Sequence, residues 1–430
     1  MIARTLLLVS LLSITCAALP AQWDGIKDFP LSTVPLPNQI TVGPDKALWF
    51  TTQGAVIGRI DPKGAVTAYP YSGTWGGGGI TTGSDGAMWF TIGNANEIGR
   101  ISTAGVVTMY PVPTANSLPG WIAPGSDGAV WFTEYTTNQI GRITTAGVVT
   151  EYALPTTNSN PTAIAAGSDG ALWFVYSYQY TIGRITTSGS ITQYTVPFTM
   201  GGPVSITAGP DGALWFLTDN GLGIIGRITT AGVITQYSAP HMFAGSIVSG
   251  PDGSLWVADY GSKIGRMTTT GVFTEYPLPV DGSPLGIAGG PDGDLWITEQ
   301  FTPSSQPYGN ISRALACGLG LGLSYAAGAL TMNFDVGVMT SATWSTSLVT
   351  GSGITQLWSR PIHATHPPHA FTFTRNLAGQ GNVGVLSSLS ASGGSLLCTD
   401  MQIINTGGAG PTEDELRREG LESRPQSPLP

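Results

Sequence analysis

Residues 120–155 read GWIAPGSDGAVWFTEYTTNQIGRITTAGVVTEYALP, and this stretch decides the fold. The Gly125-Ser126-Asp127-Gly128 turn reverses the chain between two short apolar runs. Asp-Gly is a strong hairpin signal, because the turn needs φ > 0, which Gly tolerates freely. Four strands follow from the pattern: A over Gly120–Ala123, B over Ala129–Glu134, C over Ile140–Thr144 and D over Val148–Tyr152. The same sentence recurs seven times between residues 41 and 314, with tryptophans at Trp49, Trp89, Trp131, Trp173, Trp215, Trp256 and Trp296. The intervals of 40 to 42 residues, each carrying several short strands and a fixed turn, predict an all-β chain with one blade of a seven-bladed β-propeller per repeat.

Blade 7 supplies strands A to C and then lacks the Gly-Val-Val-Thr-x-Tyr segment that should form strand D. The N-terminal stretch Gly25-Ile26-Lys27-Asp28-Phe29-Pro30-Leu31 matches it. The ring is therefore expected to close through an N-terminal strand, which removes free sheet edges. Residues repeated in every blade are expected to hold the blade together. This covers the arginines Arg59, Arg100, Arg142, Arg184, Arg227, Arg266 and Arg313, and turn aspartates such as Asp45 and Asp127. Binding or catalytic groups should stand where the repeat breaks.

The 430 residues divide into a signal peptide (1–21), the propeller (22–314), a small β-sandwich of immunoglobulin-like architecture (315–406) and a disordered tail (407–430). Arg4 and the apolar run that follows it read as a secretory leader, too short to span a bilayer, so the protein is expected to be secreted or periplasmic. Thr15 before Cys16 argues against lipoprotein anchoring. No transmembrane segment follows. Charged residues are only 10%, the net charge is −9 and there are four lysines, which excludes a nucleic-acid partner. The sandwich is expected from six or seven short alternating strands over residues 318–406, with Cys317 and Cys398 forming one disulfide. The cluster His363, His366 and His369 is read as an inter-strand loop.

The repeat, with GPDGALWF at 209–216 and IGRITTAGVVTEYALPT at 140–156, resembles the virginiamycin B lyase family of seven-bladed propellers over residues 25–314. That resemblance implies elimination across the ester of a cyclic depsipeptide, with Mg²⁺ and a histidine base on the face where strand A begins and strand B ends. The family's residues are absent at the matching positions. Its histidine in blade 6 is Gly245, its histidine in blade 7 is Leu285, its metal-ligand glutamate is Gln300 and its blade 1 tyrosine is Asn38.

The remaining candidates sit at irregular positions. His241 with Asp259 and Glu299 is the candidate catalytic set. Trp75, Trp121, Glu134, Tyr176, Tyr178, Asp259, Tyr260 and Glu299 are the candidate ligand-binding set, as acids at the end of strand B or aromatics in loops. The leading expectation is a monomeric binding or interaction protein for an extracellular glycan, peptide or envelope component, with no cofactor. The alternative is a lyase or hydrolase with a rearranged site, using Mg²⁺ if it is of the lyase type.

Overall fold

The structure is a computed structural model. It describes residues 26–314 apart from 33, 73–76, 177–178, 219–220, 222, 241, 243, 279–281 and 301–308, together with the backbone of seven strands between 322 and 405. Seven four-stranded antiparallel sheets form the propeller. Blade 3 runs Pro119–Pro124, Val130–Glu134, Gln139–Ile143 and Val149–Ala153 as strands A to D, within one or two residues of expectation. The seven A strands touch one another in a closed ring at the centre, with the outer strands radiating from them.

Strand B is buried along its length in every blade except at the last residue of blade 7, Gln300, because neighbouring sheets cover both of its faces. Trp131, Ile140, Phe174 and Tyr176 share one cluster, so the Trp side of strand B faces the next blade. The first and third residues after the Trp face the previous one. Burying each of the seven tryptophans contributes on the order of 5 kcal/mol, an upper figure that ignores ordering.

The repeated polar residues meet at that Trp. In blade 3, Asp127 accepts from Trp131 Nε1 at 3.2 Å and from Arg142 Nε at 2.7 Å. The guanidinium lies 5.9 Å from the Trp131 ring centre, and Tyr152 stacks on the same indole at 5.3 Å. The Asp–Arg pair recurs in all seven blades, with Arg313 in blade 7 reaching both Asp292 and Asp294. These arginines and aspartates are thus internal ties within each blade.

Gly147, at φ +86°, seats the C–D turn of blade 3 on Tyr110 of blade 2; a Cβ there would lie 2.2 Å from the ring. Ser84, Ser126 and Ser168 each donate to a turn carbonyl of the following blade at 2.6 Å. They stand where other repeats carry proline.

Closure is as expected. Ile26–Pro30 pairs antiparallel with Asn310–Ala314, and Phe29 stacks on Trp296 at 5.5 Å, in the place of the repeat's tyrosine.

The C-terminal strands pair as two antiparallel sheets. Numbered 1 to 7 along the chain from Gly322–Ala326 to Leu396–Asn405, they order as 1-2-5 and 4-3-6-7. Six or seven were expected, and Gly322–Ala326 is the one not named from the sequence. Cys317, His366 and His369, the leader and the tail lie outside the described residues. Cys398 and His363 are described only as backbone.

Candidate functional site

The candidate site is the mouth of the propeller, where A strands begin and B strands end. In each blade the end of strand B pairs with the start of strand A, as Glu134 does with Pro119. The register slips within the next few residues of strand A in all seven blades. Such bulges re-aim side chains, and at this end they do so around the central opening.

The residue after each of those pairing positions gives the first ring of the mouth: Asn38, Gly78, Gly120, Thr162, Val204, Gly245 and Leu285, all partly exposed. None of these is titratable. The second ring is the fourth residue after each Trp. It comprises Gln53, Gly93, Tyr135, Tyr260 and Gln300, with 177 and 219 outside the described residues.

Gln300 stands where the family resemblance places a metal-ligand glutamate. Its Oε1 accepts from Gln53 Nε2 at 2.9 Å, and its Nε2 donates to the Pro37 carbonyl at 2.8 Å. Asn38 Nδ2 donates to the Gly77 carbonyl. The seam between blades 7, 1 and 2 is therefore stitched by neutral amides. A divalent ion does not fit this arrangement: the one oxygen of Gln300 is engaged, and both histidine positions are filled by Gly245 and Leu285. Among the described residues no group of three or more His, Cys, Asp or Glu could hold a metal.

The acids expected at the strand B ends are not at the mouth. Glu134, Asp259 and Glu299 are at most 1% exposed, as is Tyr176. Each is the third residue after a Trp and so points into the previous blade interface, not to solvent. Glu299 contacts Ser312, while Gln300, one residue on, faces the seam. Burial, with the charges of Glu151 and Asp28 respectively, pushes Glu134 and Glu299 each up to about 7. Burial also raises the Tyr176 hydroxyl, which accepts from Gln193 Nε2 at 2.8 Å.

Trp121, placed by the sequence both in strand A and among the loop aromatics, lies within strand A of blade 3 and packs half-buried against the clusters of blades 3 to 5. Its equivalents are Gln39, Gly79, Ala163, Ser205, Ser246 and Gly286, so it is the one bulky side chain at that level of the inner ring. Tyr260, three blades on in the second ring, is 47% exposed. Trp75, Tyr178 and His241 lie outside the described residues. Tyr180 takes a left-handed φ of +43°, where blades 2 and 3 place Asn96 and Asn138.

Sequence reasoning missed the Gln53–Gln300 bridge, because its partners are 247 residues apart and no local pattern announces them. It also missed Tyr135, which the spacing from Trp131 would have found.

The profile of the virginiamycin B lyase family matches residues 25–302. A solved virginiamycin B lyase from Staphylococcus aureus is 37% identical, covering 67% of this chain and 98% of that one, with a TM-score of 0.62. A streptogramin B lyase structure is 34% identical over 67% of this chain and 97% of its own, also at 0.62. A catalytically inactive histidine-to-alanine variant of the S. aureus enzyme, solved with quinupristin, matches at 37% identity over 67% and 98%, with a TM-score of 0.61. The extracellular domain of a putative hybrid two-component system from B. thetaiotaomicron shares the fold at 13% identity, covering 87% of this chain and 55% of that one, at 0.53. No curated protein matches the chain.

Proposed function

The chain belongs to the virginiamycin B lyase family, and we propose that within it this protein is a binding module for an uncharged extracellular ligand, a glycan, peptide or envelope component, and does not open streptogramins. The carrying observation is the neutral Gln53–Gln300 bridge in the position of the metal-ligand acid. A catalytically inactive relative was made by removing one histidine; here both family histidine positions lack an imidazole. Elimination needs a base and a means of stabilising the departing carboxylate, and the described mouth offers neither.

What the mouth does offer is amides, a threonine hydroxyl, the Tyr135 and Tyr260 rings and the Trp121 indole. Such a lining recognises hydroxyls and amides while ring faces cover apolar C–H surface. Location outside the cytoplasm rests on the leader read in residues 1–21. Among the described residues no helix is long and apolar enough to cross a membrane. The C-terminal sheets, read as an immunoglobulin-like sandwich tied by Cys317 and Cys398, serve as a spacer in this reading.

The test is a neutral-glycan and peptide array probed with and without EDTA, beside a streptogramin B digest with added Mg²⁺. Binding unaffected by EDTA, weakened by Trp121→Ala or Gln300→Ala, with an intact depsipeptide ring, supports the proposal. Ring opening, or binding that needs a metal, overturns it.

A further inference from the structure

Three of the four buried acids of the propeller, Asp294 being the exception, have a second, partly exposed acid on the same face of their sheet. Blades 3, 6 and 7 end strand B with Glu134, Asp259 and Glu299. The same three blades, and no others, carry an acid as the third residue of strand D: Glu151, Glu275 and Asp28. The other four blades combine Thr52 with Ala68, Ile92 with Met109, Tyr176 with Gln193 and Thr218 with Gln236. Both positions face the same side of the sheet, across strand C. In six blades the strand C residue between them is glycine, as with Tyr176 and Gln193 across Gly183, whose side chains meet.

Where a buried acid stands beside a second carboxylate with no counter-charge, the buried one is pushed toward its neutral form. Blade 6 supplies a counter-charge: the Lys263 ammonium meets Glu275 at 3.0 Å. Blades 3 and 7 have Gln139 and Asn310 in the place of that lysine. There the buried oxygens Glu134 Oε1, Gln139 Oε1, Glu299 Oε2 and Asn310 Oδ1 have no hydrogen-bond partner among the described residues, as is also true of Glu275 Oε1 in blade 6.

Blade 7 shows what fills the gap. Its strand C glycine is replaced by Ser312, and the paired strand B phenylalanine by Ile297, which makes room for the hydroxyl. In blade 1 a Cβ at the equivalent Gly58 would lie 2.1 Å from Phe50. Ser312 Oγ accepts from Asn310 Nδ2 at 2.9 Å and contacts both Asp28 Oδ1, at 2.6 Å, and Glu299 Oε1. A serine hydroxyl has one hydrogen and so can donate to one of the two carboxyls only. The other contact requires a hydrogen on the carboxyl itself.

We propose that blade 7 is closed by a proton: Glu299 is held as the neutral acid that donates to Ser312, which donates to Asp28 of the N-terminal strand, and ionising Glu299 loosens that strand from the ring. Burial assigns the proton to Glu299, which is fully enclosed, while Asp28 is partly exposed. Among the described residues the groups facing Glu299 are few. From its own sheet they are Asp28, Ser312 and Asn310. Lys27 turns to the other side of its strand, its ammonium 4.8 Å from the Phe29 ring centre. From blade 6, Trp256, Ala258, Ile264 and Leu278 pack on Ile297, on Glu299's side of the strand, so that contact is apolar. The raised titration of Glu299, to about 7, agrees in direction.

The test is amide hydrogen exchange of residues 26–29 in the full protein and its Glu299→Gln variant, compared at equal pH so that intrinsic exchange cancels. Protection should match between the two at about pH 5. At about pH 8 the wild type should exchange on the order of tenfold faster or more. Asp28→Asn should shift the wild-type transition to lower pH. A carboxylic-acid carbonyl band in the infrared difference between wild type and Glu299→Gln, present near pH 6 and lost by about pH 8.5, tests the same point with the Glu134 signal cancelled. Equal exchange of wild type and Glu299→Gln at every pH, or absence of that band, overturns the proposal. So does Na⁺, Ca²⁺ or Mg²⁺ restoring protection at about pH 8, which would make the missing counter-charge a metal ion.

Discussion

Both oxygens of Asp127 are committed, one to Trp131 Nε1 and the Ala129 amide, the other to Arg142. Burial alone would raise this carboxyl, but the hydrogen bonds from Arg142 and Trp131 outweigh it and hold it below the usual carboxylate range. The same balance lowers Asp45, Asp85, Asp169 and Asp211. Asp127→Ala strands an indole N–H and a guanidinium in a partly buried node. We expect a loss of about 2 kcal/mol, read as a lower urea midpoint at unchanged slope. Gly147→Ala acts on the corresponding node of blade 2, where Tyr110 stacks on Trp89. It combines φ +86° with a Cβ 2.2 Å from the Tyr110 ring, and the expected cost is about 2 kcal/mol or more by the same measurement.

The strand Ile26–Pro30 is the element on which closure depends, and it is held by backbone pairing, the Phe29–Trp296 stack and the Ser312 node. Phe29→Ala removes the stack alone and should cost about 2 kcal/mol, since the ring is only partly buried. Deleting residues 1–30 leaves Asn310–Ala314 as an open edge, so the truncated chain should run as dimers and larger species on size exclusion while the full protein does not. This strand was legible because it copies the repeat's own strand D. The blades were legible for the same reason: seven repetitions of one Trp–Asp–Arg node average away local ambiguity. The aim of the side chains at the start of strand A was not, since its bulge disguises alternation there. The strand B acids were misplaced at the mouth, although parity from the Trp sends them into the blade interface. That parity was correctly informative for Glu299 against Gln300, where a single step along the strand exchanges a buried carboxyl for a mouth-lining amide.

At the scale of the whole ring, two sets of carboxyls pull stability in opposite directions with pH. The turn aspartates titrate below their ordinary value of 3.8 when folded, so their contribution is present above that value and is lost as pH falls through their folded titration. Glu134 and Glu299 titrate at about 7 when folded against 4.5 when not. The folded state therefore binds more protons than the unfolded between those values. Stability from these two is complete below about 4.5, declines as pH rises and is gone above about 7. Each is worth on the order of 3 kcal/mol over that span. The propeller should accordingly be most stable in mild acid, near pH 4 to 5 in rough terms, and fall by several kcal/mol toward neutrality. A urea-midpoint series across pH checks this. The doubly substituted Glu134→Gln, Glu299→Gln protein should keep its acid-side decline, which belongs to the turn aspartates, and lose the decline toward neutrality. A wild-type series that rises steadily to neutral pH would show that the paired acids are ionised in the folded ring and that another charge compensates them.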